Sequence, residues 1–98
     1  MQDIILKTDM PDEAVRYLVE ALETETSRLK YSITLAEKRL SKFEKKYGVS
    51  SSQFIHEWCA EDLEGNDLEY VEWAGEYQLA MRLTERLDAL KSIKHVDS

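Results

Sequence analysis

The sequence predicts an all-α protein: a long antiparallel helical hairpin of coiled-coil type, with a short helix at its bend, expected to dimerise. Three observations predict it. Apolar positions fall at Val19, Leu22, Thr26, Leu29, Ile33, Ala36, Leu40, Phe43 and Tyr47, with Thr26 the one polar member. That unbroken alternation of three and four lays one apolar stripe along a helix. A second, wider run follows a turn, and the 98 residues, 34% charged and 43% apolar, suit one small globular domain.

Residues 1–8 admit two readings, a strand through Ile4, Ile5 and Leu6 or a frayed extension. The first helix is expected over about residues 12–47. Pro11 suits a first turn, and Asp12 and Glu13 suit the positive end of a helix. Gly48 stops it, after Lys45 and Lys46 in the last turn. Such a helix is roughly 50 Å long at about 1.5 Å per residue, too long for a compact globule of this size, so it must lie along a second long helix.

A short helix is expected over 51–61. Ser50 with Gln53 forms a capping box, Val49 can meet Phe54 as a hydrophobic staple, and Phe54, Ile55, Trp58 and Cys59 share one face. Glu64-Gly65-Asn66-Asp67 breaks the chain, and Asn66 or Asp67 caps a third helix over about 67–94. Its apolar positions are Tyr70, Val71, Trp73, Ala74, Tyr77, Ala80, Met81, Leu83, Leu87, Leu90 and Ile93, a stripe wide enough to pack on both other helices. Gly75, inside this helix, costs about 1 kcal/mol against alanine. Close approach of another backbone would offset that, and a plain surface glycine is the alternative. Because a two-helix hairpin leaves much of each helix without a core, two hairpins are expected to bury their leucine stripes together.

Charge is strongly segmented. The net charge of −7 is composed of −5 over residues 1–27, +5 over 28–46, −8 over 47–76 and +1 over 77–98. The eight acids of the third segment, Glu57, Glu61, Asp62, Glu64, Asp67, Glu69, Glu72 and Glu76, are accompanied by no Lys or Arg. Such a block reads either as a solvated face or as a patch that meets a basic partner. Trp58, Tyr70, Trp73 and Tyr77 flank it, as core filling or as interface anchors. Lys38, Arg39, Lys42, Lys45 and Lys46 form a basic stripe able to touch nucleic-acid phosphates. The absence of a helix-turn-helix or interleaved aromatics favours a polar helix face instead, paired in part with Glu37, Glu44 and acids of the neighbouring helix.

A globally basic nucleic-acid binder is excluded by a pI near 4.8. No apolar run exceeds three residues, so neither a bilayer span nor a signal-peptide core is expected. The single cysteine, Cys59, cannot pair within the chain, which fits a cytoplasmic protein. His56 and Cys59 are spaced as two metal ligands could be, but no second pair completes a zinc site. A calcium loop beginning at Asp62 fails at both anchors, where Asp67 and Trp73 stand for the required glycine and glutamate. With glycines only at 48, 65 and 75 there is no phosphate-cradling motif, and nothing supplies a nucleophile with a positioned base. No catalysis, metal or cofactor is expected.

Lys46-Tyr47-Gly48-Val49-Ser50-Ser51-Ser52-Gln53-Phe54, followed by Gly65-Asn66-Asp67-Leu68-Glu69-Tyr70-Val71-Glu72-Trp73 and Tyr77, resembles a known pattern. It is similar to short helical prokaryotic proteins encoded beside TumE-type toxins and regarded as their antitoxins. The match covers residues 46–77, and the turn Asp62-Leu63-Glu64-Gly65 replaces the Gly-Glu-Leu-Gly usual in that family. The resemblance implies a cognate toxin as partner. A toxin acting on RNA needs a basic substrate groove, which the acidic, aromatic-flanked stretch from Glu57 to Glu76 would occupy as a phosphate mimic. A free-standing coiled-coil scaffold and a DNA-binding autorepressor acting through Lys38–Lys46 are the competing classes.

Overall fold

The computed structural model describes residues 5–58 and 68–93. Among these the chain is all-helical: α1 spans Pro11–Tyr47, α2 spans Ser51–Gln53 and runs into a π-helical turn, Phe54–Trp58, and α3 spans Leu68–Lys91. Residues 5–8 have no regular structure, so they form no strand.

The ends of α1 follow from its sequence. Pro11 opens the helix, Met10 donates its backbone N–H to Thr8 Oγ1 (3.0 Å), and the chain leaves through Gly48. Gly48 has φ 73° and ψ 21°, the left-handed conformation that glycine adopts without penalty, and donates to the Glu44 carbonyl at 2.8 Å. All nine positions of the stripe from Val19 to Tyr47 are buried or half-buried, with Leu29, Ala36 and Leu40 innermost. At 37 residues α1 sets the long axis of a 58 × 26 × 19 Å molecule.

α3 lies along α1 in antiparallel register. Stepping back along α1 from Lys46 to Arg39 moves forward along α3 from Glu69 to Glu76, the two ion pairs joining these residues. Further along, Arg28 hydrogen-bonds Glu25 and holds its carboxyl below the usual value, with a smaller contribution from Arg86 of α3. Val19 and Leu22 of α1 line a groove with Leu90 and Ile93. The first turns of α1 run past this point, and Val15, Tyr17 and Leu18 are exposed there.

The core is concentrated at the bend. Leu40, Phe54 and Trp73 are its buried centre, with Phe43, Tyr47, Val49, Ile55, Trp58, Tyr70, Ala74, Tyr77 and Ala80 packed around them. The Trp73 indole lies face to face with Phe54 (3.9 Å between centroids, 3°) and stacks with Tyr47 (5.4 Å) and Phe43 (5.5 Å). Aromatic pairs of this kind add about 0.5–1.5 kcal/mol each beyond area burial. The indole N–H donates to Ser51 Oγ (2.9 Å), and Ser51 donates from both its backbone N–H (2.8 Å) and its hydroxyl (2.7 Å) to Glu44 Oε2. One relay therefore joins α3 to α2 and α2 to α1.

The short helix departs from expectation. Ser50 caps it as expected, accepting from the Gln53 backbone N–H at 3.1 Å, and Val49 packs against the cluster containing Phe54. The Gln53 side chain does not return to Ser50; it donates to Glu57 Oε2 at 3.0 Å. After Gln53 the chain widens into the π-helical turn. Ser51 is held by Glu44 and Phe54 by Trp73, and at the end of the wider turn Trp58 meets Phe54 (6.3 Å) and Tyr47 (6.2 Å) edge to face and lies tilted against Tyr70 (6.1 Å). The expected continuation through Cys59 to residue 61 lies outside the described residues, as do the Asn66 or Asp67 cap and residue 94. α3 closes three residues before that expected end, where Ser92 N–H bonds to the carbonyls of Asp88 (3.0 Å) and Ala89 (3.3 Å). Val71, Met81 and Ile93, expected in the packed stripe, are exposed instead, because α3 meets α1 along a narrower face. No backbone among the described residues approaches Gly75: a Cβ there would meet nothing within 4 Å.

Ser51→Ala removes the acceptor of a buried indole N–H, which costs about 1–3 kcal/mol when left unmade. Urea unfolding is expected to show that loss, against less than about 0.5 kcal/mol for Ser52→Ala at an exposed position next door. Equal effects of the two substitutions would contradict the relay.

Candidate functional site

Of the four acids of the segment among the described residues, three already have partners within the chain. Glu69 accepts from Lys46 Nζ (2.6 and 2.8 Å) and from the Tyr47 hydroxyl (2.6 Å). The Lys46 ammonium, then the Tyr47 hydroxyl, hold its carboxyl below the usual value of 4.5. Glu76 Oε1 accepts from Arg39 Nη1 at 3.3 Å, and Glu57 accepts from Gln53. Glu72 has no ion pair among the described residues, and Glu61, Asp62, Glu64 and Asp67 lie outside them. The acids of α3 thus serve first to match the bases of α1. Solvent screening leaves each exposed pair with little net energy, but two in succession favour this register over a slipped one.

The aromatic residues expected to anchor a partner divide the same way. Trp73 is a core residue with 0% exposure, which decides between its two readings in favour of core filling and removes it from the partner-binding set: its ring faces are stacked and its N–H is bonded inside. Trp58, Tyr70 and Tyr77 are half-buried around it. Among the described residues at this end, Leu68 (69%) and Val71 (52%) are exposed, beside Glu72. At helical spacing Leu68, Glu72, Gly75 and Leu79 form one stripe of α3.

The basic stripe is also split. Arg39 and Lys46 pair across to α3, whereas Lys38, Lys42 and Lys45 have no ion pair among the described residues. Glu44, expected against these bases, accepts from Ser51 instead.

Between the two helices lies a groove of about 650 Å³. Arg39, Lys42, Phe43 and Lys46 of α1 form one wall, and Glu69, Glu72, Gly75, Glu76 and Leu79 of α3 the other. Glu76 Oε2 is buried beside it with no hydrogen bond among the described residues. Sequence reasoning singled out Glu72 and Glu76 as acids and Gly75 as an anomaly, but not their common groove. It missed Phe43, Glu44 and Ser51 as site-building residues; Phe43 and Ser51 gave a weak signal through the stripe and the capping box, Glu44 none.

Among the described residues no cluster of three or more His, Cys, Asp or Glu could hold a metal ion, and His56 Nδ1 lies 2.7 Å from the Ser52 carbonyl. No helix among them is long and apolar enough to cross a membrane. What fold and site define is an all-helical hairpin with a mixed-charge groove beside an aromatic joint. Comparison with protein-family models, curated proteins and solved structures finds no match.

Because the carboxyl of Glu69 is depressed in the fold, its charge stabilises the protein fully above about pH 4.5, and that contribution is lost as pH falls through the lowered value. Glu69→Gln is therefore expected to be less stable than the parent at pH 7, with the gap closing below pH 4.5 in urea unfolding. A gap independent of pH would contradict the ion pair.

Proposed function

We propose that the chain is a non-catalytic protein-interaction module, an antitoxin that neutralises a cognate toxin by covering a basic surface of it. The observation that carries this reading is the face of α3 at the bend: exposed Leu68 and Val71 lie beside Glu72, an acid with no ion pair among the described residues. Apolar contact ringed by acid is what a basic, RNA-handling surface would meet with complementary potential. The stacked joint behind it holds this face in place before binding, which lowers the ordering cost of association. The resemblance over residues 46–77 supports the same partner class. Glu69 and Glu76, already matched to α1, serve the hairpin first, and Trp73 acts as the scaffold rather than the contact.

The module also pairs with a second copy. The first turns of α1 leave Val15, Tyr17 and Leu18 exposed, and a second α1 in antiparallel register would cover them. Lys38, Lys42 and Lys45, which have no ion pair among the described residues, would supply the phosphate contacts of the alternative reading, a DNA-binding autorepressor.

Native co-purification, followed by sedimentation of the free chain, tests the proposal. The expected results are a co-purified basic protein that arrests growth when expressed alone, and a free chain sedimenting at twice 11.4 kDa. Combined Glu64→Lys, Asp67→Lys and Glu72→Lys should weaken binding at least about tenfold, equivalent to about 1.4 kcal/mol, and abolish growth rescue. Rescue surviving that charge reversal but lost on reversing Lys38, Lys42 and Lys45 would overturn the acidic-face assignment, and a strictly 11.4 kDa species would overturn the dimer.

A further inference from the structure

The back of α1 carries a second stripe, which packing among the described residues leaves exposed. It starts at Glu13 and runs to Lys45 in alternating steps of four and three, the spacing of the apolar stripe but on the opposite side of the helix. Every member is exposed except the half-buried Ser41. Tyr17 (58%) and Tyr31 (66%) are its large side chains, and Thr24, Ser27, Thr34 and Ser41 are its small ones. Two acids, Glu13 and Glu20, stand at one end and two bases, Lys38 and Lys45, at the other, each pair seven residues apart. None of these four has an ion pair among the described residues.

Such a stripe is complementary to itself when reversed. With two α1 helices antiparallel and a two-fold axis beside Leu29, Glu13 comes opposite Lys45 of the second copy, and Glu20 opposite its Lys38. The same register sets Tyr31 against Ser27 and Tyr17 against Ser41, a ring over a small side chain each time, and Thr24 against Thr34. The axis doubles every contact, so the two ion pairs become four.

Other arrangements match less well. In a parallel pair Glu13 would face Glu13 and Lys38 would face Lys38, like charges in contact. Sliding the antiparallel pair by one heptad in either direction keeps one of the two ion pairs and moves the remaining charges opposite Ser27 or Tyr31. On the flanks Arg28 comes opposite Lys30 and Arg16 opposite Lys42, but Arg28 is bonded to Glu25 and Arg16 lies over the Tyr17 ring.

We propose that the back of α1, from Glu13 to Lys45, is a homodimer interface in which two chains pair their acidic and basic halves crosswise. The proposal rests on the self-pairing read above and deepens it by fixing face and register. Of the exposed first turns it takes Tyr17. It assigns Lys38 and Lys45 to carboxylates of the second copy rather than to phosphates. The two bends then lie at opposite ends of the dimer, about 50 Å apart at about 1.5 Å per residue, and each presents its own α3 face. Two tyrosine anchors amid polar contacts suit a Kd on the order of micromolar that weakens with added salt.

Sedimentation of charge-reversed chains tests the interface. Glu13→Lys with Glu20→Lys, and separately Lys38→Glu with Lys45→Glu, set like charges face to face and should each weaken the dimer at least about tenfold. Mixed in equal amounts, the two double variants carry an all-basic and an all-acidic stripe and should recover dimerisation as a heterodimer. Disulfide trapping reads the register, with Cys59→Ser in every chain. Thr24→Cys mixed with Thr34→Cys should cross-link in a glutathione buffer, and Thr24→Cys alone should not. A dimer that both charge reversals leave intact, no recovery on mixing, or trapping of Thr24→Cys alone would overturn this face and register while leaving self-pairing in place. A parent chain sedimenting strictly at 11.4 kDa would overturn both.

Discussion

The indole of Trp73 is where the described helical elements meet. Its faces stack on Phe54 of the π-helical turn and on Tyr47 and Phe43 of α1, and its N–H reaches Ser51 at the start of α2. Ser51 in turn is fixed by two hydrogen bonds to Glu44 of α1. Elsewhere among the described residues α1 and α3 touch along a narrow stripe, with only Leu29 and Ala36 fully buried away from the bend. A hairpin so thin has little area to resist slipping, so the joint decides where α3 begins its run along α1. Burying side chains of this size contributes about 1.5–3 kcal/mol each, and removing a buried tryptophan costs about 3–5 kcal/mol, more than any exposed ion pair here can return.

Charge then refines what packing begins. The net −7 arises from blocks of opposite sign, and the fold lays the basic end of α1 beside the acidic start of α3. A shift by one turn would break Lys46–Glu69 and Arg39–Glu76 together and move Tyr47 away from Glu69. The acids that such matching leaves over, with Glu72 the described example, are the ones available to another molecule. Function on this account uses the remainder of a charge pattern whose first use is structural.

Much of the architecture was legible in the sequence. The stripe from Val19 to Tyr47, the left-handed Gly48 and the Ser50 cap are local features, and local geometry realises them directly. What could not be read depended on contacts between distant residues. The ring contacts that Trp58 makes at the far end of the π-helical turn are with Tyr47 and Tyr70, on the two long helices. Trp73 could be read as core or as interface anchor, because an aromatic beside acids fits both, and only the stacking with Phe54 decides between them. Gly75 was visible as an anomaly, but its opening onto Phe43 and Glu76 needs the other helix in place.

Exchange of the two indole N–H protons tests the joint most directly. The chain has two tryptophans, which give two indole signals. Trp73 is fully buried and bonded to Ser51, whereas Trp58 is half-buried and has no indole hydrogen bond among the described residues. The account predicts that the Trp73 proton exchanges with solvent at least about a hundredfold more slowly than that of Trp58, each factor of ten reflecting about 1.4 kcal/mol of opening free energy. Two indole protons exchanging at the same fast rate would contradict it.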